Sequence, residues 1–199
     1  MTSSRRRLLG LDRSGPIPPQ TRRGAPLRPL TIPNLVGYVR LAAIPVFLIL
    51  ALGSEDGRYA PATLLYIAIA AADYLDGFLA RATGQYSRLG ALLDPVVDRI
   101  TVLAGAVVCW HFELLPRWTL AALAAREVVS LALAELALRR GIDVEINWIG
   151  RIAVFLVFSA IALSLMIDWW VVSAAFVAGV VIAFAATGVY VKAALARRD

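Results

Sequence analysis

An all-α, polytopic membrane bundle of about six helices is the fold class the sequence predicts, and three observations predict it. The 199-residue chain is 60% hydrophobic and only 17% charged, with a mean hydropathy of +0.73, a balance that belongs to membrane proteins. From Pro33 onward, apolar runs of the ~20 residues that a hydrocarbon core requires recur six times, at roughly 33–53, 61–81, 92–112, 117–138, 149–167 and 169–192. Trp110, Trp118, Trp148, Trp169 and Trp170 fall near the ends of those runs, where an aromatic belt sits. The single cysteine, Cys109, excludes an internal disulfide, and the single histidine, His111, excludes a histidine-based metal site. Both fall near a helix end and read as packing residues.

Residues 1–30 are a different kind of sequence. Arg5, Arg6, Arg7, Arg13, Arg22, Arg23 and Arg28 stand among Pro, Ser, Thr and Gly, a composition that cannot bury an apolar face and predicts a disordered basic tail. The apolar run after the first arginines is only Leu8, Leu9, Gly10 and Leu11, too short for a signal peptide. A basic tail directly before a membrane span points to anionic lipid rather than nucleic acid, and it acts as a positive-inside topology signal. The remainder, 31–199, reads as one membrane domain.

The first span opens with TIPNLVGYVR and is interrupted by Arg40 and Pro45. Arg40 has two readings, a side chain snorkelling to the interface and one facing the head of a ligand. The second and third spans carry four aspartates. Asp73 and Asp76 are three apart, Asp94 and Asp98 four apart, so each pair shares one helical face. A Gly- and Ser-containing turn from Thr83 to Ser87 lets the third span fold back antiparallel to the second and brings the pairs together. The result is an all-oxygen pocket suited to a hard divalent cation, Mg2+ or Mn2+. Four aspartates within apolar spans cost roughly 10 kcal/mol uncompensated, so a functional role is the default.

The fourth span contains Arg126 and Glu127, and residues one apart do not face each other on a helix. Arg126 is therefore expected to find another anion: Glu135, the aspartate cluster or a substrate phosphate. The next turn leads through Asn147 and Trp148 to Arg151 at the start of the fifth span. Cations concentrate on the tail, on Arg81 and Arg88, on Arg139, Arg140 and Arg151, and on Lys192, Arg197 and Arg198. The opposite loops hold Arg58 and Arg117 beside Glu55, Asp56, Glu113 and Asp168. An even number of spans with both termini cytoplasmic satisfies that distribution and turns the acidic pocket toward the cytoplasm.

The pattern D-x2-D-G-x2-A-R-x8-G-x3-D-x3-D, met at Asp73, Asp76, Gly77, Ala80, Arg81, Gly90, Asp94 and Asp98, resembles the signature of the CDP-alcohol phosphatidyltransferases. Eight fixed positions at fixed gaps make this a specific signal. Weaker likenesses extend it from about Thr31 to Arg151. The opening of the first span is similar to the T-I-P-N-x-L-[ST]-x-x-R start of the phosphatidylglycerophosphate and cardiolipin synthase branches, with Gly37 where Ser or Thr is usual. Ala125-Arg126-Glu127 and Trp148-Ile149-Gly150-Arg151 resemble the A-R-E and W-I-G-K-x-K-T segments of the phosphatidylglycerophosphate branch. Ala153 and Val154 replace the second Lys and the Thr.

That resemblance implies transfer of the phosphatidyl group of CDP-diacylglycerol to an alcohol, most simply glycerol 3-phosphate, with phosphatidylglycerol as the alternative acceptor. It implies two Mg2+ or Mn2+ ions held by Asp73, Asp76 and Asp94, with Asp98 bridging or behind them and serving as general base. Asn34, Gly77, Ala80, Arg81, Ser87 and Gly90 would bind CDP-diacylglycerol. Arg81 offers a fork of donors for the diphosphate, and Gly77 and Ala80 leave the helix without bulk, unless their role is tight helix packing. Arg126 and Arg151 would hold the acceptor. The family's members of this type are homodimers of the plasma membrane, working among membrane lipids with the site facing the cytoplasm. A transporter or ion-binding protein is the alternative of another class, but it predicts acidic clusters and broken helices in both halves, and only one cluster is present.

Overall fold

The computed structural model describes the backbone of residues 26–139 and 148–196 and the side chains of 26–133 and 150–189. Most of the basic tail, Arg140, Asn147, Arg197 and Arg198, and the side chains of Glu135, Arg139, Trp148 and Lys192, lie outside the described residues.

Six helices are found among the described residues, with no strand: α1 Ile32–Leu52, α2 Ala60–Thr83, α3 Arg88–His111, α4 Arg117–Arg139, α5 Trp148–Ser164 and α6 Trp170–Ala196. Each falls on one of the six expected runs. By length and apolarity alone α1, α2 and the Trp170–Val189 part of α6 are able to cross a membrane. The other three fall short of that criterion for plain reasons. α5 has 17 residues, about 25 Å of rise, and α3 and α4 carry the charges of the acidic motif and of Arg126-Glu127. Leu35, Val39, Val46 and Ile49 on α1, Val128 and Val129 on α4 and Phe155 on α5 are exposed, as on helices whose surroundings are lipid.

The chain forms two compact units, 1–50 with 64–101, and 51–63 with 102–199. In the first, Ile44, Phe47, Tyr66, Ile69 and Val97 are buried, and the Phe47 and Tyr66 rings pack with centroids 5.1 Å apart. Gly37 is buried there against α3: a Cβ on it would stand 3.0 Å from Leu93 Cδ2. The residue that replaces the usual Ser or Thr thus lets α1 and α3 come close.

In the second unit, Leu123, Ala153, Val157, Ile161, Leu165, Phe176 and Val180 are buried, and Gly179 brings α6 against Leu156 and Val157. Cys109 is fully buried with its Sγ 3.3 Å from Ser164 Oγ, and His111 packs edge-on to Phe112. Cys109 is thus a packing residue, as expected, whereas His111 is exposed. Arg58 pairs with Asp168 at 3.7 Å and Arg117 with Glu113 at 2.9 Å, so the two cations of these loops have acidic partners. Trp110, Trp118, Trp169 and Trp170 are exposed, and the Arg117 guanidinium lies 5.7 Å from the centre of the Trp110 ring.

Candidate active site

The site grows from two helix starts. Thr31 caps α1, its Oγ1 accepting from Asn34 N and its carbonyl from Leu35 N. At the end of α2 the Thr83 hydroxyl donates to Leu79 O, and Gly84 turns the chain at a φ of 66°, where only glycine is unstrained. Ser87 then caps α3, its Oγ accepting from Gly90 N at 2.9 Å. The two starts are bonded to each other. Ile32 N donates to Gln85 Oε1, and the Ser87 hydroxyl donates to Asn34 Oδ1 at 2.8 Å.

Asn34 and Ser87 are buried at 2% and 5% exposure. The Asn34 amide donates to the carbonyls of Arg28 and Pro29, so both donors and the oxygen of that side chain have protein partners. The two side chains expected to bind CDP-diacylglycerol are bonded to each other. What they do in this structure is fasten α1 to α3. Gly90 belongs to the same contact: a Cβ there would stand 2.6 Å from Asn34 Oδ1.

Below this clasp the aspartates converge. Asp73 lies ten positions before Thr83 on α2, and Asp98 ten positions after Arg88 on α3, so the short turn sets the acids of both helices at the same depth. Their common partner is Arg40 of α1. Its Nε donates to Ile69 O at 3.0 Å, its NH1 to Asp73 Oδ1 at 3.1 Å and Asp76 Oδ2 at 3.2 Å, and its NH2 to Asp98 Oδ1 at 2.6 Å. The arginine is 2% exposed, so it does not snorkel. Asp94 lies within electrostatic reach of Asp73, Asp76, Asp98 and Arg40.

Access to the acids differs. The side chains of Asp73 and Asp98 are 46% and 38% exposed, that of Asp76 only 5%. Asp73 and Asp98 are thus open to the surroundings, while Asp76 is buried. The donor chemistry fits a hard cation, because carboxylates from two helices meet and Arg40 takes only one oxygen from each of its three partners. They meet on the guanidinium rather than on a common point. Among the described residues no group of three or more His, Cys, Asp or Glu stands at metal-holding spacing.

Sequence reasoning missed this use of Arg40. The signal was present: an arginine within an apolar span, in a chain with acids on neighbouring spans, pairs with those acids by default.

Arg81 folds back along its own helix, with NH1 3.2 Å from where a Cβ on Gly77 would be. The bare surface at Gly77 thus accommodates the guanidinium that a diphosphate would meet. Ala80, next to Arg81, is half-buried.

Arg126 and Arg151 belong to the second unit. Contrary to the expectation from helical spacing, Arg126 NH1 does pair with Glu127 Oε1, and its Nε donates to Thr187 Oγ1 at 3.3 Å. Both side chains are long enough to bend round the helix, and Thr187 of α6 holds the guanidinium in place. Arg151 is half-buried in the first turn of α5, and Ala153 beside it is fully buried.

Comparison with known proteins agrees with the motif. The profile of a family described as CDP-alcohol phosphatidyltransferase matches residues 30–185. A Streptomyces coelicolor protein named cardiolipin synthase (CMP-forming) is 40% identical over 158 residues, 76% of this chain and 74% of that one. Two proteins named CDP-diacylglycerol–glycerol-3-phosphate 3-phosphatidyltransferase are also similar. The one from Bacillus subtilis is 29% identical over 133 residues, and the one from Escherichia coli is 34% identical over 128, each match covering 61% of this chain and 69% of the relative.

Proposed function

The chain belongs to the CDP-alcohol phosphatidyltransferase family, and from that premise we propose that it transfers the phosphatidyl group of CDP-diacylglycerol to phosphatidylglycerol, forming cardiolipin and releasing CMP. The observation that carries the transfer reading is the convergence of Asp73, Asp76 and Asp98, from two helices, on the buried Arg40 guanidinium.

In the reaction the acceptor hydroxyl oxygen forms a bond to the phosphatidyl phosphorus, the bond from that phosphorus to the CMP oxygen breaks, and the hydroxyl proton goes to a carboxylate. Asp98 suits that last role. It is exposed enough to meet the acceptor, and Arg40 engages only its Oδ1. Asp73, Asp76 and Asp94, with Asp98 shared, would hold two Mg2+ or Mn2+ ions. When bound these neutralise the diphosphate oxygens and stabilise the leaving group. Arg81 offers a guanidinium fork to the same diphosphate.

For the acceptor, the second unit favours phosphatidylglycerol over glycerol 3-phosphate, the reverse of the order the motif fragments suggested. A small dianion gets nearly all its binding energy from charge-assisted contacts. Ala153 is buried where the phosphatidylglycerophosphate branch has a lysine, and Arg126 already has Glu127 as a counter-charge. A phospholipid acceptor is held in the bilayer by its acyl chains and needs fewer cations. The relative named cardiolipin synthase, matched over three quarters of this chain, supports the same choice.

The loop pairs Arg58–Asp168 and Arg117–Glu113 leave the cationic excess on the opposite loops. We therefore place the acid cluster on the cytoplasmic side of the plasma membrane, where a soluble metal ion is available.

The test is purified enzyme with radiolabelled CDP-diacylglycerol and Mg2+, offered each acceptor in turn. Label in cardiolipin is expected. Label only in phosphatidylglycerophosphate would assign the smaller acceptor.

A further inference from the structure

We propose that Arg40 is the resident counter-ion of the acid cluster: it sets the spacing of the carboxylates of α2 and α3, and it competes with a divalent cation for their oxygens. The inference rests on the transferase reading above and deepens it.

Four donor contacts define its place. NH1 bridges Asp73 and Asp76, which share a face of α2, and NH2 reaches across to Asp98 on α3. One rigid fork thus spans acids from both halves of the motif. A lysine ammonium, as a point charge, cannot match that geometry. Nε is bound to the Ile69 carbonyl, a neutral acceptor outside the acid set. This anchor keeps the guanidinium beside the cluster even when its carboxylate bonds are given up.

The charge count gives the consequence. Asp73, Asp76 and Asp98 carry three negative charges against the one positive charge of Arg40, so the set is stabilised yet still attracts cations. A divalent ion entering it has to take oxygens from the guanidinium and then sit beside a positive charge. Both effects weaken its binding. Arg40 therefore exchanges cation affinity for a preformed site.

A structural salt bridge alone predicts a loss of stability that is the same with and without metal. Resident competition predicts a loss concentrated in chelator, together with tighter metal binding. The experiment compares the unsubstituted full-length enzyme with Arg40→Gln and Arg40→Lys in detergent. Thermal unfolding midpoints are measured in EDTA and across an Mg2+ titration, and CMP release from CDP-diacylglycerol is followed in parallel.

Arg40→Gln should unfold about 5 °C or more lower in EDTA, recover most of that loss in saturating Mg2+, and need about tenfold less Mg2+ for half of its shift. Arg40→Lys should keep the unsubstituted Mg2+ requirement, because the charge stays, and still lose stability in EDTA, because the fork is gone. It decides the matter if the glutamine variant does not fold. An unchanged Mg2+ midpoint in Arg40→Gln, or equal losses with and without Mg2+ in that variant, overturns the inference while the enzyme's activity stands, and so does an Arg40→Lys enzyme that needs less Mg2+ or loses no stability in EDTA. An unsubstituted enzyme that releases no CMP and shows no Mg2+-dependent shift removes the transferase reading, and the inference with it.

Discussion

The Ser87 hydroxyl donates to Asn34 Oδ1 at 2.8 Å and so ties the start of α3 to the start of α1 across 53 residues of sequence. The same oxygen of Ser87 accepts from Gly90 N. One hydroxyl therefore caps a helix and fastens it to a neighbour. Ser87→Ala removes both and leaves a buried Asn34 oxygen without its donor, a loss of about 2 kcal/mol. Thermal unfolding of the purified protein measures it, with CMP release falling in parallel.

Gly90→Ala provides a test of sign. Helix propensity alone favours alanine by about 1 kcal/mol, but its Cβ would stand 2.6 Å from Asn34 Oδ1. The Asn34 amide is held by two backbone carbonyls and cannot easily move away. The substitution is expected to lower the unfolding midpoint. A rise would mean that the clasp is looser than its geometry.

Removal of divalent cations by EDTA should stop phosphatidyl transfer, and Mg2+ or Mn2+ should restore it, because the candidate ligands are all carboxylate oxygens. Thiol reagents should leave the folded enzyme active, since Cys109 is fully buried against Ser164. Full activity after dialysis against EDTA contradicts the metal assignment.

Asp98→Asn separates base from ligand. The asparagine oxygen can still accept from Arg40 NH2, so the positioning contact survives while the proton acceptor is lost. Turnover should fall by about 10²-fold or more. Asp73→Asn and Asp94→Asn should raise the Mg2+ concentration needed as well as lowering turnover. Steady-state rates across an Mg2+ titration distinguish the two patterns, and near-normal turnover in Asp98→Asn would give the base role to another group.

Arg151→Ala addresses the acceptor. With phosphatidylglycerol, whose acyl chains hold it in the bilayer, the KM should rise by about tenfold or less, the worth of one charge-assisted contact. If the unsubstituted enzyme uses glycerol 3-phosphate and the variant selectively loses that activity, the smaller acceptor is the physiological one.

Much of this was legible in the sequence, for identifiable reasons. Six apolar runs bounded by Trp, Pro, Gly and charged residues gave helices within a few residues of their observed ends, because in lipid the backbone must satisfy itself within each span. The spacing of the four aspartates and the turn at Gly84 placed both pairs together. Partner choice was not legible. Whether Arg40 pairs with three aspartates or reaches the interface depends on the packing of three helices, and the bond of Asn34 to Ser87 joins residues 53 apart in sequence. The Arg126–Glu127 pair escaped because the spacing rule describes side-chain directions near the backbone. A long guanidinium arm can bend past it.

The turn between α2 and α3 has a consequence for how the gene can change. Asp73 and Asp98 each lie ten residues from that turn, about 15 Å along their helices, so the hairpin works as a pair of matched rulers. Substitutions along either arm leave the graduations where they are. A single inserted or deleted residue between an acid and the turn moves that acid by about 1.5 Å and swings it by about 100° round its helix, away from the acids of the other arm. The segment can therefore drift in composition yet is intolerant of any change in length, and a one-codon insertion in either arm should silence the enzyme even where every aspartate remains.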